Sequence, residues 1–416
     1  MPTCVPRRSR HDARTVNDLG HVHAAYSIAR SMLTRSFLAA ALLALLPLSE
    51  PRQRAEGAIT YVAAQDAAPA LSDSAFAALV ARISEPGGYF DSDNLISNES
   101  SYLHVLGAMR RIGVTGGAYV GVGPDQNFSY MAQVRPRVAF IIDIRRDNLL
   151  QHLLFKALFE MSRNRVEYLA LLTGRAVPND VAKWSRRRIT EIVDFIDKSA
   201  PDPDQFETTR GAVRAKIRRY GVPVTPAELE VISHIQQAFF DAGLDLKFTS
   251  LGRAPREYYP NLRKLLLEKD LTGKQANYLA SEDDFQYLKS LEARNLVIPV
   301  VGNLAGPHAL REIGRVMTER GEKLSVLYVS NVEFYLMREG TFDAFAASVR
   351  TLPYNAHSVI IRSYFGGGFY GSHPQGVPGY FSTQLLQTVD SFAQEAARGG
   401  YATYNDLVYK HNEQLK

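Results

Sequence analysis

The stretch from Thr115 to Asn148, TGGAYVGVGPDQNFSYMAQVRPRVAFIIDIRRDN, constrains this chain more than any other. It reads as strand, tight polar turn, helix and a second apolar strand that ends on an acid. Tyr119 to Val122 is short, apolar and bounded by glycines, as a strand buried on both faces should be. The turn Gly121-Val122-Gly123-Pro124-Asp125-Gln126-Asn127 follows directly. Glycine lets a backbone approach a ligand closely, and Pro124 and Asp125 suit the first turn of a helix. Val138 to Ile142 is the next apolar run, and Asp143 closes it 20 positions after Gly123. That is the separation at which a nucleotide-binding βαβ unit places its ribose-binding carboxylate. The glycine pattern, G-x-G followed by Pro-Asp, lacks the third glycine of a dinucleotide fingerprint. A plain doubly wound sheet, with Asp143 capping a helix, therefore stands beside the nucleoside reading.

Further along, strands and helices keep alternating. A helix is expected over Ser74 to Ser84, ended by Pro86-Gly87-Gly88, and another from Tyr102 to Ile112. Between them lies a dense polar loop, Asp91 to Ser101, which either closes over a ligand or caps the following helix through Asn98 or Ser100. After Asp143 comes a strongly apolar helix, LLQHLLFKALFEMS, on which His152 reads as a packing residue. NYLAS (Asn277 to Ser281), Leu296 to Val301, Leu324 to Val329 and Ser358 to Arg362 are expected strands. Helices are expected through Arg294, from Pro307 to Arg320 and from Phe342 to Leu352. This alternation makes a doubly wound, Rossmann-like, mostly parallel α/β sheet the expected fold class. The core then covers 115–163 and 270–416, with 59–114 a helical lead-in and 164–269 a helical insertion punctuated by Pro201, Pro203, Pro223 and Pro226.

The first 58 residues form a leader. Basic Arg35 precedes FLAAALLALLPL, an apolar run of 12 residues from Phe37 to Leu48, and small residues follow at Ala55-Glu56-Gly57 and Val62-Ala63-Ala64. This is a secretory signal-peptide pattern with Met32 as the expected start, and the run is shorter than the roughly 20 apolar residues of a span. A periplasmic or envelope location is expected, a cytoplasmic one being the alternative. The lone cysteine, Cys4, lies in this leader, so neither an intrachain disulfide nor a cysteine metal cluster can form. A net charge of +5 is too mild to point to nucleic acid. The arginine clusters at Arg186 to Arg188 and Arg214 to Arg219 read as solvated helix faces.

Chemistry in such a sheet belongs at the strand ends. Asp143, Glu282 or Asp283, Asn303 and Asn331 each follow an expected strand. The segment Tyr364 to Phe381, YFGGGFYGSHPQGVPGYF, reads either as a flap carrying His373 or as a surface loop packed on the sheet edge. The chain contains no P-loop, no H-E-x-x-H and no G-x-S-x-G, so a P-loop hydrolase, a zinc enzyme of that type and an α/β-hydrolase lose their signatures.

With those residues placed, the layout resembles the class I S-adenosylmethionine-dependent methyltransferase fold over Thr115 to Asn148 and Asn277 to Arg362. The motifs VGVGPDQNFSY, FIIDIRRDNLLQHLLFKALF, ASEDDF and YVSNVEFYL also resemble an uncharacterised family of bacterial exported or envelope proteins with such a core. The methyltransferase resemblance implies S-adenosylmethionine as cofactor, with Gly121, Gly123, Asp125 and Gln126 near its methionine part. It implies Asp143 on the ribose and Glu282 or Asp283 on the adenine. Asn303, Asn331 and Glu333 would face the methyl acceptor, Glu333 being the general-base candidate by side-chain type. The expected function is a methyltransferase-like protein binding an adenosyl-type small molecule at the strand ends. One alternative is a non-catalytic envelope protein that kept the fold and lost the cofactor, since Asp125 replaces the third glycine. Another is an exported enzyme in which Arg145, Arg146 and Arg362 grip an anionic substrate.

Overall fold

The computed structural model describes residues 68–253, 256–366 and 372–416. The leader with its signal peptide and Met32 start lies outside the described residues, as does the centre of the Tyr364 to Phe381 segment. Helix α1 (Asp73–Ile83) is capped by Ser72, whose hydroxyl accepts from the Ala75 amide at 3.1 Å. A 3-10 turn (Tyr102–Val105) runs into α2 (Leu106–Ile112). Then come β1 (Ala118–Gly121), α3 (Gln126–Val134), β2 (Val138–Asp143) and α4 (Arg146–Met161), in the expected order.

The helical stretch consists of α5 (Arg165–Thr173), α6 (Val181–Trp184), α7 (Ile189–Lys198), α8 (Pro203–Arg219), α9 (Pro226–Ala242) and α10 (Leu262–Leu267). Pro203 and Pro226 open α8 and α9, where a missing N–H breaks no helical bond. The chain continues through α11 (Glu282–Ala293), β3 (Val297–Val301), α12 (Ala309–Glu319) and β4 (Leu324–Ser330). It ends with α13 (Val332–Arg338), α14 (Phe342–Val349), β5 (Val359–Phe365), β6 (Ser382–Thr388), α15 (Val389–Ala397) and α16 (Tyr404–Tyr409).

The result is an α/β fold around one six-stranded sheet of order β3-β2-β1-β4-β5-β6. Every neighbouring pair is parallel except β5 with β6. The first three strands spread one way from β1 and the next lies on its other side, so the strand order reverses between β1 and β4. At such a point the connections leave in opposite directions and open a crevice at the carboxyl ends. The register lines those ends up: Gly121 pairs with Ile141 and with Tyr328, and Asp143 with Val301.

One expected strand is absent. Asn277 to Ser281 is a turn, in which the Ala280 amide donates to the Asn277 carbonyl at 2.8 Å and the Leu279 amide to the Asn277 side chain at 2.9 Å. The Tyr278 amide donates to Ser129 Oγ at 3.1 Å. With those groups satisfied locally, the segment has little to offer a ladder. The third strand of the sheet is Val297–Val301, one helix later.

The core is continuous. Phe140 and Ile298 of the sheet, Leu153 and Phe155 of α4, and Val166, Ile192, Ile232 and Phe239 of the helical stretch belong to one buried apolar cluster. Among the described residues no helix is long and apolar enough to cross a membrane.

Candidate functional site

The crevice is a cavity of about 470 Å³. Its floor comes from the sheet: Gly123 after β1, Asp143 ending β2, Asn303 after β3, and Tyr328, Ser330 and Asn331 at the end of β4. Aromatic side chains form one wall, with the Phe334 ring packed edge to face against both Tyr335 and Tyr404, each at 5.3 Å between centroids. The polar loop before the core supplies the cover. It is joined to 248–253 by a Ser92–Ser250 bridge and by reciprocal bonds between Asp93 and Thr249, each 3.1 Å. Asp91, Ser92, Asn94 and Asn98 of that loop line the cavity, and the 3-10 turn behind it starts at Tyr102 with no side-chain cap from Ser101.

The glycine turn is shaped by Asn127. Its amide donates to the carbonyls of Val122 (2.9 Å) and Pro124 (2.7 Å), while its Oδ1 accepts from Tyr119 Oη at 2.8 Å. Gly121 leaves room for this bracket: a Cβ there would stand 2.0 Å from Asn127 Oδ1. Gly123 adopts φ +82, a conformation that favours glycine, and its carbonyl meets His152 Nε2 at 2.9 Å. Burial holds the His152 imidazole down at about 4, so the ring is neutral at pH 7 and its N–H buttresses the turn.

Asp143 stands in the cavity wall, as the spacing suggests, but its carboxylate is already engaged. Arg145 approaches it with Nη2 to Oδ2 at 3.0 Å and Nε to Oδ1 at 3.2 Å, and the Arg145 amide donates to Oδ1 at 2.9 Å. The same guanidinium holds the cover through the Ser92 and Asp93 carbonyls at 3.1 and 2.9 Å. Among the described residues Asp143 Oδ2 accepts a single bond, from Arg145, which leaves room for a hydroxyl donor.

The other expected residues divide clearly. Gly123, Asn303 and Asn331 line the cavity with Asp143. Gly121 lies behind the turn. Asp125 points into the core toward Tyr278 Oη at 3.2 Å, and burial pushes its carboxyl up to about 6. Gln126 is buried behind the wall, bonded to Glu99, Tyr130 and Tyr328. Glu282 and Asp283 begin α11 rather than ending a strand; they pair with Arg165 (3.5 Å) and Arg135 (2.8 Å), outside the cavity. Glu333 is not placed as a free base. Its carboxylate is buried and gripped by buried Arg362, Nε to Oε2 at 2.7 Å and Nη2 to Oε1 at 3.2 Å. Arg362 is thereby spent as an anion grip, and Arg146 is held by Glu228 at 2.8 Å. His373 sits at the Val408 carbonyl, 3.0 Å away, outside the cavity, whereas Phe365 and Phe381 from the two ends of its segment line it.

Glu99 is the site residue that sequence reasoning missed. It is 1% exposed and lines the cavity. Oε2 accepts from Gln126 Nε2 (2.8 Å), Tyr328 Oη (2.9 Å) and Gln384 Nε2 (2.6 Å), and Oε1 from Ser330 Oγ (2.5 Å). Burial, reinforced by the Glu99 charge, raises the Tyr328 phenol well above its usual range, so it stays a donor. Ser330 reaches Glu99 from a left-handed backbone, φ 52, where the β4–β5 register shifts. A non-glycine residue held there costs on the order of 1 kcal/mol or more, and such strain clusters at functional sites. These partners are scattered from Gln126 to Gln384, so no local signal marks Glu99 except its place in the polar loop.

Among the described residues no group of three or more His, Cys, Asp or Glu is arranged to hold a metal ion. The family model described as Domain of unknown function (DUF7790) matches residues 95–414, from the polar loop to the last helix. A comparison with curated proteins gave no match.

Proposed function

The chain belongs to the DUF7790 family, and from its cavity we infer a protein that binds an adenosyl-type small molecule at the carboxyl ends of the strands, with methyl transfer from S-adenosylmethionine as the reaction class. The observation that carries this reading is the convergence of Gly123, Asp143, Asn303 and Asn331, from four strand ends, on one cavity of about 470 Å³. A strand order that reverses between β1 and β4, with the last strand antiparallel, suits a methyltransferase-like, Rossmann-like sheet. In this reading Gly123 lets the ligand approach the backbone, and Asp143 Oδ2 accepts a ribose hydroxyl beside Arg145. Asn303 and Asn331 present amides to the acceptor. With Glu282 and Asp283 paired outside the cavity, adenine recognition falls in this reading to other cavity residues. Methyl transfer needs mainly orientation of the acceptor against a sulfonium, so a cavity walled by fixed side chains is the relevant machinery.

A non-catalytic binding protein is the second reading, and one observation favours it. The Glu333–Arg362 pair leaves α13 without a base facing the cavity. An exported location would go with this reading.

Calorimetric titration of the protein with S-adenosylmethionine and S-adenosylhomocysteine decides whether an adenosyl ligand binds. Micromolar binding, weakened at least about tenfold by Asp143→Asn, is expected, because a lost hydrogen bond to a charged group is worth about 1.5–3 kcal/mol. No heat of binding on folded protein would overturn the reading. The asparagine variant is preferable to alanine because it keeps the side-chain shape and one oxygen that can accept from Arg145.

A further inference from the structure

Glu99 is a buried carboxyl group with no basic partner among the described residues. Its four partners, Gln126, Tyr328, Ser330 and Gln384, are all uncharged donors. The arginines of the cavity are committed elsewhere: Arg145 to Asp143 and Arg253 to Asp91. Arg256 bonds Tyr258 at the exposed rim. No Lys, Arg or His among the described residues pairs with Glu99. Buried charges are ordinarily paired, because removing a carboxylate from water without a counter-charge costs several kcal/mol. Four donors answer part of that cost. They also fix the carboxylate in one orientation, since they reach it from three elements, α3, β4 and β6.

The remaining acceptor capacity is specific. Among the described residues three donors converge on Oε2, whereas Oε1 takes Ser330 Oγ alone. A carboxylate oxygen accepts two bonds comfortably, so Oε1 keeps one position in a residue that lines the cavity. The surrounding walls are aromatic, from Phe334, Tyr335, Tyr404, Phe365 and Phe381. Ring faces attract cations, and aromatic walls remove an apolar body from water.

We propose that the cavity takes an organic ammonium, a primary amine on an aromatic or apolar body, whose charged head donates to Glu99 Oε1 and whose body lies against the aromatic wall. This names the class of acceptor or ligand for the cavity, and it rests on reading the cavity as a ligand site. It does not depend on S-adenosylmethionine being the cofactor. An anionic ligand group would meet Glu99 as a like charge, so the same geometry selects against it.

The test uses two small probes that differ only in the head group, 2-phenylethylamine and 2-phenylethanol, titrated into the protein at pH 7 by ligand-observed NMR. The amine is expected to bind at least about 10-fold more tightly than the alcohol, the factor a charge-assisted hydrogen bond supplies. Glu99→Gln is expected to abolish that preference. Because the amide of glutamine would face four donors and could disturb folding, Ser330→Ala serves as a second variant; it frees Oε1 further and is expected to keep the preference for the amine. Equal binding of the two probes, or binding of neither, overturns the proposal. If S-adenosylhomocysteine binds in that case, the adenosyl reading survives alone. If the amine binds with the expected preference and S-adenosylhomocysteine does not, the ammonium site stands and the adenosyl reading falls.

Discussion

At the scale of single residues, burial and pairing decide which acidic side chains can act. Glu333 and Arg362 are each 1% exposed and bonded to one another, and Arg362 also donates to Gln387 at 2.8 Å. Removing one partner strands the other, which costs about 3–5 kcal/mol. Glu333→Ala is therefore expected to lower the free energy of urea unfolding by that amount, and an unchanged midpoint would contradict the pairing. Asp125 gives a pH signature instead. Its carboxyl is pushed from 3.8 up to about 6, first by burial, with the Tyr278 hydroxyl opposing. A folded pKa above the unfolded one means the group's contribution is present below about pH 4 and lost as pH rises through about 6. Across that window the wild type should lose up to about 3 kcal/mol relative to Asp125→Asn, measured by denaturant titrations at several pH values. A constant difference between the two would remove Asp125 from the buried set. Asp143, Gly123, Asn303 and Asn331, which line the cavity, were legible as strand-end residues because each follows an apolar run, a local signal. The sequence could not place Glu99 or Glu333, whose roles depend on partners 27 to 285 positions away for Glu99 and 29 for Glu333.

At the scale of elements, the β1–α3 turn is held by Asn127, and Gly121 is the space that bracket needs. Gly121→Ala should force Asn127 aside and cost about 1–3 kcal/mol, the usual penalty of overpacking. A thermal melt at the wild-type temperature would contradict that role. Arg145 ties a second pair of elements, β2 and the polar cover. Arg145→Ala is expected to speed amide hydrogen exchange through 89–99 while exchange in β1 and β4 stays slow. Exchange through 89–99 unchanged from the wild type would mean that the cover's other bonds, those to 248–253 among them, hold it without Arg145. Strands β1 to β5 were legible because each is a compact apolar run between turn residues. β6 was not. Its sequence, STQLLQT, carries buried Gln384 and Gln387, whose polar atoms serve Glu99, Arg362 and Tyr401. NYLAS misled for the opposite reason: it looks like a strand, but Asn277 turns the chain on itself.

At the scale of the whole molecule, the helices of 164–269 share their apolar cluster with the sheet. The single tryptophan, Trp184, lies in that stretch on α6, 4.6 Å from the Phe195 ring. Its fluorescence therefore reports the helical stretch, while far-ultraviolet circular dichroism reports the entire fold. One shared core implies coincident unfolding curves from the two probes; a fluorescence transition well separated from the dichroism one would make the stretch an independent unit. The central claim, that the ligand site is the cavity between the ends of β1 to β4, is tested most directly by hydrogen exchange with and without saturating S-adenosylhomocysteine. Protection is expected in 122–125, 143–146, 302–305 and 330–336, together with the 89–99 cover. Binding that left those segments unchanged, or protected only the helices of 164–269, would contradict it.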